Sequence, residues 1–144
     1  MQADGSDCTF ITEGCHPAWS PDGLLIAFSH REERGYEICA MTVPRGVSRP
    51  LLSNDWLDRN PAWSPDGTMI AFDSKPDTPR ERKAAGDDEE IVVMGSAGAQ
   101  AHAVTVNYRV ADTGPAWRPR LRDEPEPAGG RVRPNGGIIV PGRP

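Results

Sequence analysis

At 144 residues, with 37% hydrophobic but only 6% aromatic side chains, the chain has the length of one ordinary domain and little bulk for its core. Its formal charge is −5, and no concentrated basic face is visible in its repeats; this argues against a nucleic-acid module, because phosphate binding depends on such a face. No apolar run approaches the ~20 residues that span a bilayer, and the first ten residues lack the basic start and apolar middle of a signal peptide, so a soluble chain without an export signal is expected.

Taken in order, residues 1–15 read as the end of a preceding, partial unit. Met1-Gln-Ala-Asp-Gly parallels the stretches that begin at Met41 and Met94, and Thr9-Phe10-Ile11-Thr12 parallels 49–52 and 103–106, so a third and a fourth strand are expected there. A full unit follows at 16–53. It opens on Pro17-Ala18-Trp19-Ser20-Pro21-Asp22-Gly23, and the same heptapeptide returns as Pro61-Ala62-Trp63-Ser64-Pro65-Asp66-Gly67 in a second unit, 54–106. Ser-Pro-Asp-Gly fits a type I turn, with Pro presetting φ at the second position and Gly at the fourth. Each unit is therefore a strand, a tight turn and further strands, expected near 16–19, 24–29, 36–42 and 49–52, then 60–63, 68–73, 90–94 and 103–106. Leu24-Leu25-Ile26-Ala27-Phe28 is apolar at both parities, the mark of a strand covered on both faces.

Trp19 and Trp63 lie 44 residues apart, but Trp63 and Trp117 lie 54 apart, and most of the excess falls in a polar loop at 73–90. A terminal repeat starts at 107–117 with Pro115-Ala116-Trp117, after which Arg118-Pro119-Arg120 replaces the turn sequence and no second strand is expected. Residues 118–144 are rich in Pro, Gly and Arg and read as a disordered tail, with Ile138 and Ile139 in its only apolar cluster.

These recurring motifs, PxWSPDG, then IAF, then EI with a terminal Met (Glu37-Ile38 to Met41, Glu90-Ile91 to Met94), resemble the TolB-type β-propeller repeat, a blade similar to that of WD repeats. The resemblance covers residues 1 to about 119. It implies an all-β fold of antiparallel four-stranded blades, two complete and flanked by partial strands. It also implies a non-catalytic scaffold for protein–protein interaction, the C-terminal part of a larger propeller, periplasmic or otherwise extracytoplasmic. The alternatives are the non-catalytic propeller of a prolyl oligopeptidase-type serine hydrolase and a truncated gene product without a role of its own. Because repeat stacks bury their faces against neighbours, self-association through exposed blade faces is a further expectation.

The residues offer little chemistry. No nucleophile elbow, phosphate-cradling loop or zinc spacing occurs, so no catalytic residue, cofactor or metal ligand is expected. Trp19, Trp63 and Trp117 read as packing residues, and Asp22 with Gly23 and Asp66 with Gly67 as turn formers. Asp87, Asp88 and Glu89 offer oxygen ligands of the kind Ca²⁺ takes, but adjacent loop carboxylates ordinarily face water. Cys8 and Cys15 could bridge a short loop after export; small side chains beside strands is the preferred reading. Partner contacts are assigned to the long loop, at Arg80, Arg82, Asp87 and Asp88, since binding concentrates on loops held by a rigid scaffold.

Overall fold

The structure, a computed structural model, describes residues 6, 8–33, 35–43, 45–76, 88–105, 111–118 and 138–139. Among these residues there are ten strands and no helix. Strands β1 (Cys15–Trp19), β2 (Leu25–Glu32), β3 (Gly35–Thr42) and β4 (Ser48–Pro50) pair antiparallel in that order as a first blade. Strands β5 (Trp56–Trp63), β6 (Met69–Pro76), β7 (Glu90–Gly95) and β8 (His102–Ala103) make the second. One parallel pairing, Tyr36 with Leu57, joins β3 to β5, so the two blades form a single mixed sheet. Gly35 occupies this junction because a Cβ there would lie 2.5 Å from the Trp56 carbonyl oxygen.

The two SPDG turns are built alike. The Gly23 amide donates to the Ser20 carbonyl and the Gly67 amide to the Ser64 carbonyl, both at 2.9 Å, and each Gly sits at φ 72°, where a Cβ would be strained. In the middle strands both parities are apolar because both faces are covered. Ile26, Phe28, Cys39 and Met41 form one layer on the outer side of the first blade. Ala27, Ile38, Ala40 and Leu51 point the other way, into a layer shared with Ile70, Phe72, Val92 and Met94 of the second blade. Ala71, Ile91 and Val93 form a third layer beneath Trp117 of β9 (Ala116–Trp117). Each fully buried Ile, Phe or Met contributes ~1.5–3 kcal/mol relative to exposure, so the shared middle layer is the main cohesion between blades.

Four details differ from the sequence reading. β5 starts at Trp56 rather than near residue 60, and β6 runs on to Pro76, because Leu57, Asp58 and Arg59 pair with Lys75, Ser74 and Asp73. The long loop accordingly begins at 77, four residues later than 73. Residues 9–12 form no strand; they border the outer layer of the first blade, where Gly14 lies so close to Phe28 that a Cβ would come within 2.5 Å of the ring. Finally, the segment read as a tail supplies β10 (Ile138–Ile139), which pairs antiparallel with β9. A lone strand leaves a row of unpaired backbone groups, and the apolar pair at 138–139 satisfies that edge.

Candidate functional site

The PAW segments act through their indoles. Trp63 Nε1 donates to the Ala18 carbonyl at 3.1 Å, and Trp117 Nε1 donates to the Ala62 carbonyl at 2.8 Å. Each Trp thus reaches back one repeat and fastens its own strand to the PAW backbone of the preceding one. Burial follows the series: Trp117 is 8% exposed, Trp63 is half-buried, and Trp19 is 58% exposed. Trp19 was expected to pack, and it does not. Among the described residues no blade lies on the side it faces.

The first blade presents its outer layer to one side. Residues 9–12 together with Gly14, Phe28 and Met41 border a mainly apolar groove of about 350 Å³. Phe10 and Ile11, which line that groove, are exposed large apolar side chains, and Trp19 and Leu24 are exposed as well. Exposed patches of this kind mark interaction surfaces more often than scattered single apolar residues do.

The turn carboxylates are spent on structure. Asp22 Oδ1 accepts from the Ser20 hydroxyl at 2.6 Å and the Leu24 amide at 3.0 Å; Asp66 Oδ1 accepts from the Ser64 hydroxyl at 2.7 Å, the Thr68 amide at 3.0 Å and the Thr68 hydroxyl at 2.8 Å. The Ser20 bond above all, with the Leu24 amide, holds the Asp22 carboxyl below the usual range. The fold brings both aspartates to one cleft of about 470 Å³, where Pro21 of the first turn meets Gly67 of the second and Trp63 lines the wall. Anchored as acceptors, the two carboxylates orient backbone and are poorly placed to trade protons.

A second set of acidic residues, missed in the sequence, sits between the blades. Asp58 is fully buried; the Ser74 hydroxyl donates to its Oδ1 and Asn54 Nδ2 donates to its Oδ2 at 2.9 Å. The Asn54 amide donates to Glu37 Oε1 at 3.0 Å, while Glu37 Oε2 is buried without a hydrogen-bond partner. Burial pushes the Asp58 carboxyl up to about 6 against the opposing bonds from Ser74 and Asn54. Burial pushes Glu37 up to about 7, with repulsion from Asp58, Glu32 and Asp55 adding to it and the Asn54 amide opposing. Asp73, also raised by burial, accepts from Asn60 Nδ2 and from the Gly114 amide, tying β6 to the lead-in of β9. Glu37, Asn54, Asp58 and Ser74 therefore form a polar bridge from the first blade through the connector into the second. Among the described residues no group of three or more His, Cys, Asp or Glu is arranged to hold a metal ion. Cys8, Cys15 and Cys39 form no disulfide, and burial raises the Cys39 thiol to about 11, out of reach of thiolate chemistry at neutral pH.

A repeat signal for this second set was present. Asp58-Arg59-Asn60-Pro61-Ala62-Trp63 and Asp112-Thr113-Gly114-Pro115-Ala116-Trp117 share the pattern Asp-x-Asn/Gly-Pro-Ala-Trp. The residue before each Pro has positive φ, at 52° for His16 and Asn60 and 65° for Gly114, and a register shift at each of β1 and β5 marks the bulge it makes. Asn and Gly tolerate this conformation well, which was the readable clue. Of the residues assigned to partner contacts, Asp88 lies half-buried just before β7, whereas Arg80, Arg82 and Asp87 lie outside the described residues.

Four-stranded antiparallel blades, stacked face to face and fastened by one indole per repeat, define the chain as part of a β-propeller. Its fold is that of the TolB type. It matches the structure of a putative TolB from Agrobacterium tumefaciens with a TM-score of 0.59 at 22% identity, over 73% of this chain and 35% of that one. It matches TolB from Acinetobacter baumannii with a TM-score of 0.58 at 22% identity, over 72% of this chain and 23% of that one. The chain thus spans about a third and a quarter of the lengths of these two structures. No protein-family model matches the sequence, and neither does any curated protein.

Proposed function

We propose that this chain is a non-catalytic propeller scaffold that binds a protein partner, acting in the periplasm or elsewhere outside the cytoplasm. The observation that carries the reading is the commitment of its acidic side chains to the fold: Asp22, Asp66, Asp58 and Asp73 each accept hydrogen bonds from two or more neighbours. Carboxylates held this way build a rigid frame, and a rigid frame with a long polar loop at one end suits recognition. The fold shared with two TolB structures supports the same reading at the level of architecture. The partner contacts are the charged side chains of the long loop, Arg80, Arg82, Asp87 and Asp88. The extracytoplasmic location rests on the family resemblance of the repeats.

The test is a pull-down from an envelope extract with the full chain and with a variant in which residues 77–87 are replaced by a short Gly-containing turn. Since β6 and β7 pair from Ser74 and Glu90 onward without those residues, the variant keeps the fold. Partner capture is expected to drop with the loop. Undiminished capture places the interface on another surface, and hydrolase activity in the purified chain overturns the scaffold reading.

A further inference from the structure

Asn54, in the connector between β4 and β5, commits its amide and both ends of its side chain to the junction of the two blades. Its amide donates to Glu37 Oε1 on β3 at 3.0 Å, and its Nδ2 donates to Asp58 Oδ2 on β5 at 2.9 Å. Its Oδ1 accepts from the Trp56 amide at 2.7 Å, which fixes the turn into β5. One residue thus holds a carboxyl from each blade, and both carboxyls are buried, at 5% exposure for Glu37 and 0% for Asp58. The backbone joint beside it is slight: β3 and β5 are paired at Tyr36 and Leu57, with the Arg59 guanidinium 4.3 Å from the Tyr36 ring.

The donors that reach the two carboxyls are amides and a hydroxyl, and among the described residues no ion pair includes either carboxyl. β2 sets His30 opposite Glu37, with Glu32 3.8 Å from that imidazole, and the connector adds Asp55. β5 adds Arg59, β6 sets Ser74 opposite Asp58 between Asp73 and Lys75, and β4 brings Arg49 opposite Ala40, further along β3. Burial opposes a charge on Glu37 most, and Asp58, Glu32 and Asp55 add repulsion. A desolvated carboxylate is tolerated when it is paired and fully hydrogen-bonded, and Glu37 Oε2 has no partner among the described residues. Two neutral carboxyls suit this site; two charged ones bracketing a single asparagine do not.

We infer that Asn54 is a proton-operated latch: while Glu37 and Asp58 are protonated it clamps the connector to both blades, and loss of those protons releases residues 54–57. The blades themselves stay joined, because Ile38, Ala40, Leu51, Ile70, Phe72, Val92 and Met94 share an apolar layer that does not titrate. The sign follows from proton uptake. The closed form binds protons that the open form gives up, so local opening rises with pH from about 4.5 and levels off above about 7. Trp56 is paired with Pro76, where β6 ends, so the latch lies at the root of the long loop. Its test reads the connector and not a partner, and it stands or falls apart from the assignment of partner contacts to that loop.

The experiment follows amide exchange by mass spectrometry in the full-length parent and in Glu37→Gln from about pH 5 to about pH 8, with labelling times scaled for the intrinsic pH dependence of exchange. In the parent, protection of peptides covering 54–57 is expected to fall by roughly tenfold for each pH unit and proton released, and to level off above about 7. Protection of 91–94, in the apolar layers, is expected to stay constant. Gln cannot ionise, so in Glu37→Gln the fall should end near pH 6, where Asp58 finishes titrating, and the curve should be flat beyond it. A parent whose 54–57 protection does not change with pH overturns the inference. So does a parent in which 91–94 loosens in step with 54–57, which would make the opening global; both of these outcomes are read without the variant. A folded Glu37→Gln chain that keeps the full pH dependence of the parent overturns it as well.

Discussion

Trp19, Trp63 and Trp117 occupy one local sequence and three environments, and the energetic consequences differ accordingly. Trp63 lies across the junction between blades and donates to Ala18, so Trp63→Ala is expected to cost ~3–5 kcal/mol. Trp19→Ala is expected to change monomer stability by no more than ~0.5 kcal/mol, since its ring is largely in water. Urea unfolding of the two variants decides this; equal losses would refute the assignment of the indole series. The buried carboxyls give a second expectation. Glu37 and Asp58 hold their protons more tightly in the folded state than the ordinary values of 4.5 and 3.8. Their contribution is fully present below those values and is lost as pH rises through about 6 for Asp58 and about 7 for Glu37. Glu37→Gln imitates the protonated form, so its stability relative to the parent should be lowest near pH 4.5 and should rise toward neutrality. Denaturation midpoints of both proteins across that interval check the sign. A relative stability that falls with pH would mean that the Glu37 charge is compensated by a neighbour.

At the scale of elements, β6 and β7 form the centre and β4 and β8 the rims. Ile91, Val92, Val93 and Met94 are all buried, and so are Ile70, Ala71 and Phe72 opposite them. β4 has three exposed residues ending in Pro50, which cannot donate to a ladder, and β8 has two exposed residues. Amide exchange followed by mass spectrometry should therefore be slowest for peptides covering 70–73 and 91–94 and fastest for those covering 48–50 and 102–103. Exchange equally fast in 91–94 would contradict the two-sided covering of β7. The turns that join these strands are local devices, each closed by its own Ser and Asp. For that reason the SPDG tetrapeptide was legible as a turn, while the lengths of the strands beside it were less so. β5 and β6 extend toward Trp56 and Pro76 through pairs such as Asp58 with Ser74 and Arg59 with Asp73, which break the apolar pattern.

For the molecule as a whole, the second blade is enclosed between the first blade and Trp117, whereas among the described residues the first blade has a blade on one side only. The all-β architecture, the blade repeat and most strand positions followed from sequence alone. Turn chemistry depends on a residue's own φ and its immediate neighbours, and an apolar run at both parities implies covering on both faces wherever the chain goes. The tertiary structure alone decided which tryptophan is buried, that Glu37 and Asp58 come together through Asn54, that Tyr36 pairs with Leu57, and that Ile138 and Ile139 close the edge of β9. Each of these depends on how much water a distant segment excludes, and desolvation is set by surfaces that meet only after the chain has folded.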